Sequence, residues 1–240
     1  AIGDRLDWLV GAFYFEERAT LLNNLPIRLG AIQTPGGPID ISNRRDAGAR
    51  TFSYAGFSQA TFRLSDRLSV TGGLRYTHER KDLRLQTSNP NTGRVTFDSA
   101  GFDSDSWNSF TPKISVEYKP TTHALLYASV STGFKSGGFN ARAPVAGALE
   151  SFRPEEAVSY EVGLKSELFD RRLRMNIAAY RIDYEDLQLT VFRTVNNQIS
   201  QAVRNAGKAR INGIEVEAQA RPIEGLDLFA AYALTDAGYR

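Results

Sequence analysis

Along most of this chain apolar and polar residues alternate one by one, and short turn-forming clusters interrupt the alternation. Leu68, Val70, Gly72, Leu74 and Tyr76 alternate with Ser69, Thr71, Gly73, Arg75 and Thr77. Successive side chains of an extended strand point to opposite faces, so a period of two predicts a strand with one apolar and one polar face. Four other stretches read the same way. Tyr54, Gly56, Ala60, Phe62 and Leu64 oppose Gln59, Thr61 and Arg63. Phe110, Pro112, Ile114, Val116 and Tyr118 oppose Thr111, Lys113, Ser115 and Glu117. Val158, Tyr160, Val162 and Leu164 oppose Ser159, Glu161, Gly163 and Lys165, and Ile214, Val216, Ala218 and Ala220 oppose Glu215, Glu217, Gln219 and Arg221.

The interruptions carry the topology. Gly3-Asp4-Arg5, Ser65-Asp66-Arg67, Pro120-Thr121-Thr122, Asp170-Arg171-Arg172 and Pro222-Ile223-Glu224-Gly225 are tight-turn sequences. They predict ascending strands from near Leu6, Leu68, Leu125, Leu173 and Leu226, and descending strands over 52–64, 108–118, 157–168 and 208–221, nine in all. Between the tight turns lie four long connections, 18–51, 79–107, 136–155 and 185–207. A meander with one rim of tight turns and one of long loops is the plan of an antiparallel up-and-down transmembrane β-barrel, the loops lying outside the cell. Expected on the apolar, lipid-facing side are Leu68, Val70, Ile114, Val116, Val162, Leu164, Met175 and Ile177.

Nine strands do not close such a wall. Single-chain bacterial barrels have an even strand number, and an open edge in hydrocarbon leaves backbone donors and acceptors unpaired. The chain also starts at Ala1 without an initiator Met or leader, so it reads as an internal part of a larger barrel, one unit over 1–240 without a linker.

Composition agrees. Hydrophobic residues make up 42% of the chain and the mean hydropathy is −0.33, with no apolar run of membrane-helix length. A barrel needs apolar side chains only at every second strand position. There is no cysteine, which suits an oxidising export route. The net charge of +2, from 29 basic and 27 acidic residues, gives no nucleic-acid-binding face. Tyr14, Phe15, Tyr54, Phe57, Tyr76, Tyr118, Tyr180, Tyr184, Tyr232 and Tyr239 fall towards strand ends, as expected of a headgroup-level aromatic girdle.

Four segments point to a family. They are Tyr127-Ala-Ser-Val-Ser-Thr-Gly-Phe-Lys-Ser-Gly-Gly-Phe-Asn140 followed by Phe152-Arg-Pro-Glu155, then Tyr160-Glu-Val-Gly-Leu-Lys-Ser166, then Asn205-Ala-Gly-Lys-Ala-Arg-Ile-Asn-Gly-Ile-Glu-Val-Glu217. With the closing Ala231–Tyr239 stretch they resemble, in order and spacing, the barrel of TonB-dependent outer-membrane receptors. The resemblance implies a Gram-negative outer-membrane barrel of about 22 strands, occluded by a plug. It also implies uptake of a scarce ligand, a ferric siderophore above all or else cobalamin or a carbohydrate, driven through the plug by TonB–ExbB–ExbD. Neither plug nor TonB-contacting segment can be read in these residues.

Candidate sites follow from that plan. Loops on a rigid scaffold carry specificity, and here they hold Arg44, Arg45, Arg50, Trp107, Phe139, Asn140, Arg142, Arg153, Phe192 and Arg193. Arginine and aromatic side chains suit an anionic planar chelate, and the same arginines suit lipopolysaccharide phosphates. Arg63, Arg75, Lys113, Glu117, Glu161, Lys165, Glu215 and Glu217 belong to the polar face, expected to meet lumen and plug. Gly137 and Gly138 are expected to provide positive φ where a strand leaves the barrel. Their segment lacks the phosphate-loop spacing.

No enzyme is expected. His78 and His123 lie towards opposite rims, there is no thiol, and no cofactor or metal site is called for; Asp98, Asp103 and Asp105 form only a loose acidic loop. A passive porin or adhesion barrel is one alternative. The other is an outer-membrane hydrolase, for which His78 is the only plausible base.

Overall fold

The computed structural model of the chain describes residue 3 and residues 5–25, 28–34, 37–40, 42–141, 150–195 and 198–240, with side chains 26–41 and 193–200 outside that description. All regular structure is β. Nine long strands form the wall: β1 (Leu6–Leu25), β4 (Asn43–Arg63), β5 (Leu68–Ser88), β7 (Asp103–Thr121), β8 (Ala124–Lys135), β11 (Glu155–Leu168), β12 (Leu173–Glu185), β15 (Ala209–Ile223) and β16 (Leu226–Tyr239). Each pairs antiparallel with the next in that order, making one continuous sheet to which β6 (Val95–Asp98) adds at β5. The remaining strands form three separate pairs, β2 (Arg28–Thr34) with β3 (Gly37–Asp40), β9 (Gly138–Phe139) with β10 (Ser151–Phe152), and β13 (Gln188–Val195) with β14 (Gln198–Asn205).

The tight turns are built by local chemistry. At the β4–β5 turn Ser65 Oγ accepts the backbone N–H groups of Arg67 and Leu68, at 3.3 and 3.1 Å. At β11–β12 three successive residues, Phe169, Asp170 and Arg171, have positive φ. The β15–β16 turn passes through Gly225 at φ 83°, where a residue without Cβ carries no steric cost.

Four of the expected bounds shift outward. The ladder between β4 and β5 runs without a break from Arg63↔Ser69 to Arg44↔Ser88, so Arg44, Arg45 and Arg50 are strand residues rather than loop residues. Trp107 likewise lies on β7. Twenty-one residues at about 3.3 Å each reach about 70 Å, far beyond the roughly 25 Å apolar band of such a wall. Beyond that band no face meets lipid, so the alternation fades while backbone pairing continues.

Cross-strand register sorts the side chains. Ser69, Thr71, Gly73 and Arg75 stand opposite Glu117, Ser115, Lys113 and Thr111. The offset set, Leu68, Val70 and Gly72, stands opposite Tyr118, Val116 and Ile114. The same sorting places Val162 and Leu164 with Ile177 and Met175. Of the ten aromatics expected in a girdle, Phe15, Phe57, Tyr180, Tyr184 and Tyr239 fall instead on the polar face, in register with Ser53, Arg75, Glu161, Ala157 and Ala209. Position along a strand does not decide which way a side chain points; parity does.

Those polar-face rings have a packing role. Gly11, Gly163 and Gly213 each sit directly across from an aromatic of a neighbouring strand, Phe57, Tyr127 and Tyr180. A Cβ at any of the three would meet that ring at 2.2, 2.5 and 2.3 Å respectively. The ring lies flat in the space that the missing side chain leaves, so it covers the wall instead of projecting from it.

Candidate functional site

The polar face of the wall brings together all eight residues singled out for it. Charges of both signs are spread over it, with Asp7 beside Arg63 and Lys165 beside Glu161. Arg63, Arg75 and Lys113 stand on β4, β5 and β7, while Glu161, Glu215 and Glu217 stand on β11 and β15, with Glu117 and Lys165 between or beside them. Arg63 pairs with Asp7 of β1. The Arg75 guanidinium lies over the rings of Phe13 and Phe57, 5.3 and 5.7 Å from their centroids. On β8 and β11 Tyr127 Oη donates to Glu161 Oε1 at 2.6 Å, and the Lys165 ammonium sits 5.6 Å from the Tyr127 ring centroid. Tyr127, Glu161, Lys165, Asn176, Glu215 and Glu217 line a hollow of about 220 Å³.

The loop rim is stitched by amide side chains. Asn140 is buried, and its Oδ1 accepts the Val203 N–H at 2.6 Å. Its Nδ2 donates to the carbonyls of Val203 and Glu150, at 3.2 and 3.3 Å. Asn205 Oδ1 accepts the Arg153 N–H at 2.7 Å, while its Nδ2 donates to the Arg153 and Asp186 carbonyls at 2.8 and 2.9 Å. Gln188 Nε2 reaches the Ser136 and Arg153 carbonyls at 3.0 and 3.1 Å. The residues from 136 to 154 that the structure describes and the β13–β14 hairpin are thus bonded side chain to backbone at several points.

Gly137 and Gly138 have negative φ: the positive-φ glycines among the described residues are Gly3, Gly93 and Gly225. Their reason is close approach. A Cβ on Gly137 would lie 2.3 Å from the Phe152 carbonyl oxygen and 2.4 Å from the Trp107 ring. Trp107 is buried against this segment and meets Phe139 edge-on at 6.4 Å. Lys81 Nζ donates to the Gly137 carbonyl at 2.7 Å.

The other loop candidates disperse. Arg44 is exposed and Arg45 half-buried on β4. Arg50 lies over the Phe102 ring at 4.7 Å. Arg153 projects its guanidinium to solvent beside Asp186, at 3.1 Å, and Phe192 is 74% exposed. Arg142 and the side chain of Arg193 lie outside the described residues. Asn140 does something the sequence reading did not foresee, since both ends of its amide hold backbone. The contacts of Lys81 with Gly137, Gln188 with Arg153 and Asn205 with Arg153 join residues 35 to 56 positions apart, a separation that no local pattern shows; of the three only Asn205 falls within a family-like phrase.

His78 lies on the apolar-face parity, its ring stacked on Tyr54 at 4.8 Å. Its Nδ1 is 2.7 Å from Asn108 Oδ1, which also accepts from Tyr76 Oη at 2.8 Å. Asp98 is bound by the Ala100 backbone N–H and the Gln86 amide, which hold its carboxyl below the usual range. Among the described residues no three His, Asp or Glu gather as metal ligands would.

A two-faced antiparallel sheet with unequal rims is the wall of an outer-membrane barrel. The model for the TonB dependent receptor-like β-barrel matches residues 2–240, and the chain belongs to that family, whose members reside in the outer membrane of Gram-negative bacteria. They are receptors, not enzymes. Among curated relatives, the metal-pseudopaline receptor CntO of Pseudomonas aeruginosa is 31% identical over 165 residues, 69% of this chain and 21% of that protein. The pesticin receptor of Yersinia pestis is 29% identical over 174 residues, 70% of this chain and 24% of that protein. The solved ferric yersiniabactin uptake receptor FyuA of Yersinia pestis superposes at a TM-score of 0.80 and 21% identity, over 100% of this chain and 34% of that one. The chain therefore spans about a fifth to a quarter of the curated relatives' length.

Proposed function

We propose that this chain is wall and outer rim of a receptor that binds a ferric siderophore or similar metal chelate and imports it with energy relayed by TonB–ExbB–ExbD. The observation that carries this is the family match over 2–240 on a sheet whose two faces differ. Related receptors are named for such cargo, metal-pseudopaline in one case and ferric pyoverdine in another.

The charged face takes the lumen role in this reading, and further strands pair with the edges β1 and β16 to complete about 22. A plug seated there meets cations and carboxylates on neighbouring strands, Lys113 and Glu117 on β7 and Glu161 and Lys165 on β11, so complementary plug groups of both signs are expected. Partly hydrated pairs of about 0 to 1 kcal/mol each hold a plug yet let it move. On the outer surface Tyr14, Tyr54, Tyr76 and Phe110 are exposed at headgroup level. Arg18, Arg50 and Arg80 follow on the same parity, suited to lipopolysaccharide phosphates.

Import is tested with the complete protein in cells. Uptake of radioiron presented as a panel of ferric siderophores should depend on both this gene and tonB. Uptake that persists without tonB would support a passive porin instead.

A further inference from the structure

We propose that Ser136–Asn140 is a keystone that locks three parts of the outer rim, the β5–β7 wall, β10 and the β13–β14 hairpin, into one mechanical body. The glycine-rich phrase is neither an anion cradle nor a φ device, and its contacts run in three directions. Towards the wall, Lys81 Nζ holds the Gly137 carbonyl at 2.7 Å and Trp107 covers Gly137, with Phe139 against its ring. Towards β10, Gly138 and Phe139 pair with Phe152 and Ser151, and the Phe152 ring would touch any Cβ on Gly138 at 2.9 Å. Towards the hairpin, Asn140 grips both the N–H and the carbonyl of Val203, and Gln188 reaches back to the Ser136 carbonyl at 3.0 Å.

Two features make this a coupling and not mere packing. Both glycines and Asn140 are buried, so the segment cannot shift without displacing a neighbour on each side. The grips on Val203 and Gly137 are also to backbone, so they set the path of the chain and not only the pose of a side chain. Lys81, Gln188, Asn140 and Asn205 are then positioning residues. They fix where Arg153 and the hairpin stand relative to the wall, because Arg153 is clamped through its N–H by Asn205 and through its carbonyl by Gln188 and Asn205. A load on the hairpin reaches Trp107 through five residues of main chain, whatever the cargo.

Hydrogen exchange read by mass spectrometry on the complete protein in detergent micelles tests this without a ligand. Lys81→Gln removes the ammonium whose contacts are Gly137, Glu79 and the Trp107 ring. Amides 201–205 of the hairpin are expected to exchange faster, on the order of five-fold or more, and Lys81→Arg to restore them in part. Acceleration confined to 136–139, with 201–205 at the wild-type rate, overturns the proposal. Asn140→Asp keeps the acceptor for Val203 but loses the donor, leaving the wall contacts intact. It should speed exchange at 136–139 as well as at 203, and a change at 203 alone also overturns the keystone. Unchanged protection of the β11–β12 ladder certifies that each variant has folded.

Discussion

At the scale of single residues, glycine is the clearest case of a residue chosen for what it leaves out. Gly137 and Gly213 would both place a Cβ at 2.3 Å from a neighbour, but the neighbours differ. Gly213 would meet the far end of the Tyr180 ring, which can swing off the wall. Gly137 would meet the Phe152 backbone carbonyl, which cannot move without the β9–β10 pair. Gly137→Ala should therefore cost about 1 to 3 kcal/mol in the packing it disturbs, visible as lost amide protection at 136–140 and 150–153. Gly213→Ala should cost less and be neutralised by Tyr180→Ala, measured by thermal unfolding of the complete barrel. Equal costs for the two would mean that the Phe152 carbonyl yields as easily as a ring. None of this was legible in the sequence. A glycine needed for close approach and one needed for positive φ look alike until the partner is placed, and Trp107 and Phe152 are distant along the chain.

At the scale of elements, the alternation of residues such as Leu68 to Thr77 and Ile114 to Glu117 was enough to read nine wall strands and both faces. A period of two is a local property and survives without knowledge of the partner strand. Strand ends were not legible, because β4, β5 and β7 continue where no lipid face imposes a period. Half of the aromatic girdle was misread for a related reason: Phe57 and Tyr180 lie inside β4 and β12 rather than at their ends, and register puts them against Gly11 and Gly213 on the polar face. The face assignment has a direct energetic consequence on β7. Val116 stands between Val70 and Ala128 on the apolar face, and Ser115 between Thr71 and Ser129 on the other. Val116→Arg should destabilise the folded barrel in bilayers by about 2 to 4 kcal/mol, as for a charge facing lipid near the midplane, and Ser115→Arg by well under half of that. Urea titration in lipid vesicles measures both, and the opposite ranking would exchange the faces.

At the scale of the whole molecule, the wall joins two functions that the sequence kept apart. Its lower and middle parts are a repetitive surface, with lipid on one face and a polar, charged face on the other. Its upper rim is where repetition stops and individual residues such as Asn140, Gln188 and Asn205 tie loops together. The site was only partly legible for that reason: Arg63, Arg75, Lys113 and the glutamates announce themselves by parity, whereas rim chemistry depends on contacts between distant loops. Arg153 and Phe192 stay exposed on the loop rim, Arg44 and Arg50 are exposed on β4, and Asn140 passes from ligand-facing candidate to internal clamp. The central claim is that this sheet stands in a bilayer with its charged face turned inward. Because the chain has no cysteine, single spin labels can be placed in turn at 113 to 117 of β7 in the complete protein, made cysteine-free elsewhere and reconstituted in lipid. Collision rates with oxygen and with a water-soluble nickel chelate are then compared by electron paramagnetic resonance. Positions 114 and 116 should favour oxygen and 113, 115 and 117 should not, in strict alternation; a reversed phase, or no alternation at all, would contradict the account.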